Sequence, residues 1–155
     1  MTYNLQLKTA FWFAARLFLG IVFAYSGYSK LMQPVENFRG LLADYTILPY
    51  AVVPFIAVTF PWIELTLGLS LMLGFMTRWS ALGLAGMSLG FVVVLGLSRV
   101  MLGTLPETCG CFGEGGLQLT TTQVMILDTV DTFLGAGLFL VKNHSWGLDQ
   151  VLRRD

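Results

Sequence analysis

The sequence predicts an all-α membrane protein, a four-transmembrane-helix bundle, and three observations carry that reading. The chain is 55% hydrophobic and only 12% charged, whereas a soluble domain carries about a quarter charged residues. Its mean hydropathy is +0.73. Its apolar residues gather into four stretches, each reaching the roughly 20 residues that cross a hydrocarbon core as a helix. A chain of 155 residues so composed cannot surround an apolar core with charge, so the lipid bilayer is its expected solvent. The length allows one small domain. The net charge is zero, so no nucleic-acid partner is indicated.

The first span is expected over about residues 11–32, the second over about 50–76, the third over about 79–102 and the fourth over about 122–141. Gln33-Pro34 closes the first span, and Pro49 precedes the second. Gly74, Thr77 and Arg78 mark a very short turn into the third, and Thr120-Thr121-Thr122 can cap the fourth. Lys8 before an apolar run and Ala24-Tyr25-Ser26 imitate a signal peptide, but Arg16 interrupts the run, so the segment reads as a retained span. No internal repeat or long linker is visible.

Four spans place both termini on one side. Lys8, Arg78, Lys142, Arg153 and Arg154 fall on that side, and Lys30, Arg39 and Arg99 on the other. This bias of basic residues favours cytoplasmic termini in a bacterial or archaeal plasma membrane. The connection between the third and fourth spans then faces outward, where disulfides persist.

That connection contains TCGCFGEGG, residues 108–116, with both cysteines of the chain. Cys109 and Cys111 stand one glycine apart, near the limits of the Cα separation a disulfide tolerates, and Gly110 relaxes the backbone between them. So small a ring is strained, and strained disulfides belong to the labile or catalytic class. It would be a poor entropic staple, because that effect grows with loop length. Two other readings stay open: buried inert thiols, or part of a metal site. Structural zinc needs four ligands, and the one histidine, His144, falls at the opposite face. Redox chemistry is therefore favoured, and no metal is expected.

Arg16, Glu64, Asp128 and Asp131 lie inside spans. Intramembrane charges are costly to insert and are functional candidates by default, although a buried pair can also serve helix register alone. Arg16, Gly20, Phe23, Gly27 and Lys30 share one face of the first span; Pro61, Glu64, Gly68 and Leu71 share one face of the second. Asp128, Asp131 and Gly135 do so on the fourth, and Gly83, Gly86 and Gly90 form a smooth strip for close packing on the third. Four inward faces make a compact bundle. Depths counted from the span ends pair Arg16 with Glu64, with Asp131 as competitor. Asp128, about two turns below the cysteine loop, is suited to proton traffic. Trp12, Trp79 and Trp146 read as interface anchors, and Trp62 as lipid-facing packing or one wall of a pocket.

These residues resemble a known family. The run Arg16-x3-Gly20-x2-Phe23-x2-Ser26-Gly27-x2-Lys30 is similar to the first helix of the DoxX/MauE membrane proteins. Trp62-x-Glu64-x3-Gly68 and Gly74-x3-Arg78 resemble their second helix and turn, and Cys109-Gly-Cys111-Phe112-Gly113 resembles the loop of the MauE-type branch. An acidic residue early in the last helix fits at Asp128, where the branch carries a preceding arginine and this chain has Leu127. The resemblance implies a four-helix membrane protein tied to redox or disulfide chemistry. It implies maturation of a disulfide-rich periplasmic dehydrogenase beside a thioredoxin-like partner, and, through DoxX-type relatives, a link to quinones.

The leading expectation is a membrane thiol–disulfide redox protein. Cys109 and Cys111 would exchange electrons with a periplasmic thiol partner, and a quinone between the helices would be the sink. The rival is a non-enzymatic accessory subunit that assembles or anchors a larger membrane complex, its inward charges serving packing alone. A transporter is disfavoured, because four spans without a repeat leave little machinery for alternating access.

Overall fold

In the computed structural model the described residues are 2–44, 49–103 and 119–141. The Cys109-Gly110-Cys111 motif, its expected disulfide, His144 and Trp146 lie outside them. Among the described residues there are five helices: α1 (Thr2–Leu31), α2 (Val35–Asp44), α3 (Val53–Leu73), α4 (Thr77–Leu102) and α5 (Thr121–Leu140). Four are long and apolar enough to cross a membrane, over Leu7–Leu31, Val53–Leu73, Thr77–Met101 and Thr121–Leu140. The protein is thus a multi-pass four-helix bundle, as its composition requires.

Local chemistry sets the helix ends. Thr120 caps α5: its hydroxyl accepts from the Gln123 N–H at 3.4 Å, and the Thr120 N–H donates to the Gln123 side chain at 3.0 Å. This reciprocal box satisfies two donors that a helix start leaves unpaired. Pro54 sits in the first turn of α3, where its missing N–H costs nothing. Gly74 ends α3 at φ 72°, in the left-handed region, and its N–H returns to the Leu71 carbonyl. Only Phe75 and Met76 remain before α4, so α3 and α4 form a tight hairpin.

Arg78 locks that turn to the far end of α5. Its Nε donates to the Phe139 carbonyl at 3.0 Å, and its guanidinium lies over the Phe139 ring at 5.0 Å. A cation at a helix C-terminus satisfies free carbonyls and complements the helix dipole. The bundle therefore has a turn end, with the start of α1, the Gly74 turn and the end of α5. It also has a loop end, where α1, α2, the start of α3 and the start of α5 meet.

The helices associate as two principal pairs, α1 with α3 and α4 with α5. In the first pair a Cβ added at Gly27 would stand 2.7 Å from the Pro61 carbonyl oxygen and the Leu65 nitrogen, and one at Gly68 would stand 2.6 Å from the Ala24 nitrogen. The backbones touch, and any side chain there would force them apart. In the second pair Gly135 approaches Ala81 and Ala85 in the same way. Trp12 closes α1 onto α5 by covering Gly137 and is partly buried there, so it is a packing residue rather than an interface anchor alone. Trp62 is 56% exposed and Trp79 65% exposed; within a membrane both face lipid.

The structure adds one element and corrects one packing expectation. Between the first two expected spans, α2 lays Phe38 and Leu42, one turn apart, against Val53 and Ala57 of α3. The glycine strip of α4 does not serve close packing throughout. Gly83 meets Leu67, but a Cβ at Gly86 or Gly90 would find nothing within 4 Å.

Candidate functional site

The site grows from the α1–α3 seam. Because Gly27 lies against Pro61 and Leu65, and Gly20 against Gly68 and Met72, the helices run antiparallel and Glu64 stands level with Ser26. Lys30 sits one turn further toward the loop end. Side chains on a helix lean toward its N-terminus, so Lys30 reaches back into the bundle instead of out to the surface. Its Nζ lies 2.8 Å from both Oε1 and Oε2 of Glu64. Ser26 Oγ donates to Oε2 at 3.2 Å. The pair is fully enclosed, with side-chain exposures of 1% and 2%.

Aromatic rings close the remaining side of the ammonium. Lys30 Nζ lies 5.0 Å from the centre of the Phe38 ring on α2 and 5.6 Å from that of Phe91 on α4. Cations are attracted to ring faces, more so when water is excluded. The helix absent from the sequence-based expectation thus supplies part of the site's wall.

Asp128 and Asp131 complete it from α5. Both line, with Ser26, Lys30, Glu64, Phe91 and Leu127, a cavity of about 20 Å³. That is space for one water. Asp131 is 1% exposed, and among the described residues neither of its carboxylate oxygens meets a hydrogen-bond partner. Buried polar groups are otherwise paired with protein or ordered water. The cavity therefore joins one ion pair to two further carboxyls in a volume suited to water-borne proton transfer. No group of three or more acidic, histidine or cysteine side chains arranged to hold a metal ion occurs among the described residues.

The expected Arg16–Glu64 pair is corrected by this geometry. Both side chains are buried, at 3% and 2% exposure, so their inward orientation is as expected. The register, however, puts Arg16 ten residues below the level of Glu64, about 15 Å along the helix. Arg16 instead lies over the Phe13 ring at 5.1 Å. Asp131, the expected competitor, accepts no hydrogen bond from it. The depth estimate failed because it placed both spans flush with the same membrane edges. In fact α1 stops at Leu31 while α3 starts well beyond that level and α2 fills the step. Lys30 stands on the inward row with Phe23 and Gly27; its direction of lean is the signal that selects it over Arg16.

With this geometry in hand, comparison with known proteins is decisive at the family level. The family model described as "Methylamine utilisation protein MauE" matches residues 8–142. The chain belongs to the MauE family. A curated relative, "Methylamine utilization protein MauE" of Paracoccus denitrificans, is 27% identical over 125 residues, covering 81% of this chain and 66% of that protein. The chain thus spans just under two thirds of that MauE relative's length. No solved structure matches the chain. The matched region of this MauE-family protein contains Arg16, Lys30, Glu64, Asp128 and Asp131, and it also contains Cys109 and Cys111.

Proposed function

We propose that this MauE-family protein is a membrane thiol–disulfide redox protein serving methylamine utilisation, the role in the name of its Paracoccus relative. Cys109 and Cys111 exchange with a soluble, thioredoxin-like or disulfide-rich partner outside the plasma membrane, and a membrane quinone accepts the electrons. The termini face the cytoplasm. The observation that carries this reading is the position of the Lys30–Glu64–Asp128–Asp131 cluster. It reaches from the middle of the bundle toward the end at which α5 begins, and in sequence α5 follows the segment that bears both cysteines.

The chemistry explains why such a cluster belongs there. When two thiols become a disulfide, one sulfur–sulfur bond forms, and two electrons and two protons leave. A quinone that takes the electrons becomes a quinol and binds two protons at its carbonyl oxygens. Attack by the partner's thiol on the Cys109–Cys111 disulfide also needs a thiolate, so a proton must leave the partner's sulfur before it acts. Asp128 and Asp131, joined by a water-sized cavity, are carboxyls able to hold and pass such protons. The Lys30–Glu64 pair joins α1 to α3 and lines the same cavity.

One observation favours a second reading, the accessory subunit: among the described residues nothing lies within 4 Å of a Cβ at Gly86 or Gly90 of α4. Serine variants separate the two. On the redox reading Cys109→Ser and Cys111→Ser each abolish methylamine-dependent growth, and one of them traps a mixed disulfide with a soluble partner. Full growth with both variants defeats that reading in favour of the accessory role. For orientation, an impermeant thiol reagent added to intact, mildly reduced cells labels the pair; labelling only after lysis contradicts it.

A further inference from the structure

The open face of α4 has a shape of its own. Gly83, Gly86 and Gly90, with Leu42, Ile56, Phe60, Met87, Phe91 and Val94 around them, line a groove of about 350 Å³. That lies within the roughly 300–1,000 Å³ of small-molecule sites. Gly86 and Gly90 are exposed within the α4 span, so the groove opens toward lipid. Its floor is apolar. Its back wall is not a simple one.

Phe91 lines this groove and also the small cavity that holds the Lys30–Glu64 pair. Phe60 meets Phe91 edge to face, with ring centres 5.4 Å apart, so one aromatic layer separates apolar groove from ionic cavity. Lys30 has three N–H donors. Two go to Glu64, and the ammonium also stands over the Phe38 and Phe91 rings. Asp131, on the far side of the same cavity, has both oxygens without a partner there. Hydrogen-bonding capacity thus stands one ring's thickness from the groove.

Depth decides which lipid-soluble molecule suits this arrangement. Glu64 stands eleven residues into α3, about 16 Å from the helix start. A phosphate-bearing head is held at the bilayer surface by the cost of burying charge at that depth. A compact uncharged head with carbonyl acceptors meets no such barrier. Resting on the redox reading above, we propose that the α3–α4 groove is the quinone site: the chain lies along Gly83, Gly86 and Gly90, and the ring stacks at Phe60 and Phe91, within reach of the Lys30 ammonium when Phe91 turns.

The test is equilibrium binding of a radiolabelled decyl-substituted benzoquinone to the full-length protein in detergent. Gly90→Leu fills the groove without a clash, since nothing lies within 4 Å of its Cβ; Gly86→Leu is a second such variant. Gly96→Leu, on the same helix with equal space but outside the groove, is the control. The wild type and Gly96→Leu bind saturably, while Gly90→Leu and Gly86→Leu bind about tenfold more weakly or worse with melting temperatures no lower than that of the wild type. Excess dioleoyl phosphatidylcholine does not displace the probe. Undiminished binding to both groove variants, no saturable binding to the wild type, or full displacement by the phospholipid overturns the site. Mixed-disulfide trapping separates the two proposals. If trapping persists while groove binding fails, this site falls and the redox reading stands; if binding holds but both serine variants support growth, the reverse follows.

Discussion

Two glycine rows run through this bundle, and they meet opposite fates. Gly20, Gly27 and Gly68 lie at the α1–α3 seam, where added Cβ atoms would stand 2.5 to 2.7 Å from their nearest neighbours. Gly86 and Gly90 on α4 also recur on one helix face and have nothing within 4 Å among the described residues. The first row holds two backbones together and thereby fixes a buried ion pair. The second leaves a groove. The difference teaches that small-residue spacing marks where something large must come close, without saying whether that is another helix of the same chain. The partner face decides: Pro61, Glu64 and Gly68 present a matching row on α3, while among the described residues Leu42, Ile56 and Phe60 border Gly86 and Gly90 without coming within 4 Å of a Cβ there.

The ion pair gives the sharpest way to break the comparison. Glu64→Gln leaves Lys30 buried without its counter-ion, and removing one member of such a pair costs about 3–5 kcal/mol; chemical unfolding in detergent measures it. Next comes the seam itself. Gly27→Leu drives a side chain into the Pro61 carbonyl and Leu65 nitrogen, an overpacking expected to cost about 1–3 kcal/mol and to weaken cross-linking between cysteines placed on α1 and α3. Thr120→Ala, which removes the α5 cap, costs about 1 kcal/mol. Gly90→Leu closes the series: in the open row it changes stability by between zero and a gain of about 1 kcal/mol, because leucine is the better helix former. Comparable losses from Gly27→Leu and Gly90→Leu would erase the distinction between the rows.

Much of this was legible in the sequence because the bilayer imposes simple rules. The four spans follow from length and hydropathy, and the Thr120 cap from its Thr-x-x-Gln pattern. The burial of Arg16, Glu64, Asp128 and Asp131 follows from the cost of exposing charge to lipid. Pairing was not legible, since it depends on where helices start relative to one another. The step between the end of α1 and the start of α3 is set by α2, whose ten residues carry only Phe38 and Leu42 as a buried stripe. A stripe that short gives little periodic signal. Without that step, span-end counting puts Arg16 close enough to Glu64 for a long side chain to bridge and leaves Lys30 at the outer side. The α4 glycines were read as a seam for the related reason that their missing neighbour leaves no mark in their own sequence.

The reduction potential of the Cys109/Cys111 couple tests the central claim most directly. Equilibration of the purified full-length protein against defined thiol–disulfide buffers, with the two redox forms resolved by alkylation, measures it. A strained, exchanging pair that hands electrons to a quinone is expected at about −200 to −120 mV, the range of catalytic oxidising dithiols. A value below about −300 mV, where structural disulfides resist reduction, would make the bond a permanent lock and contradict a thiol–disulfide exchange function.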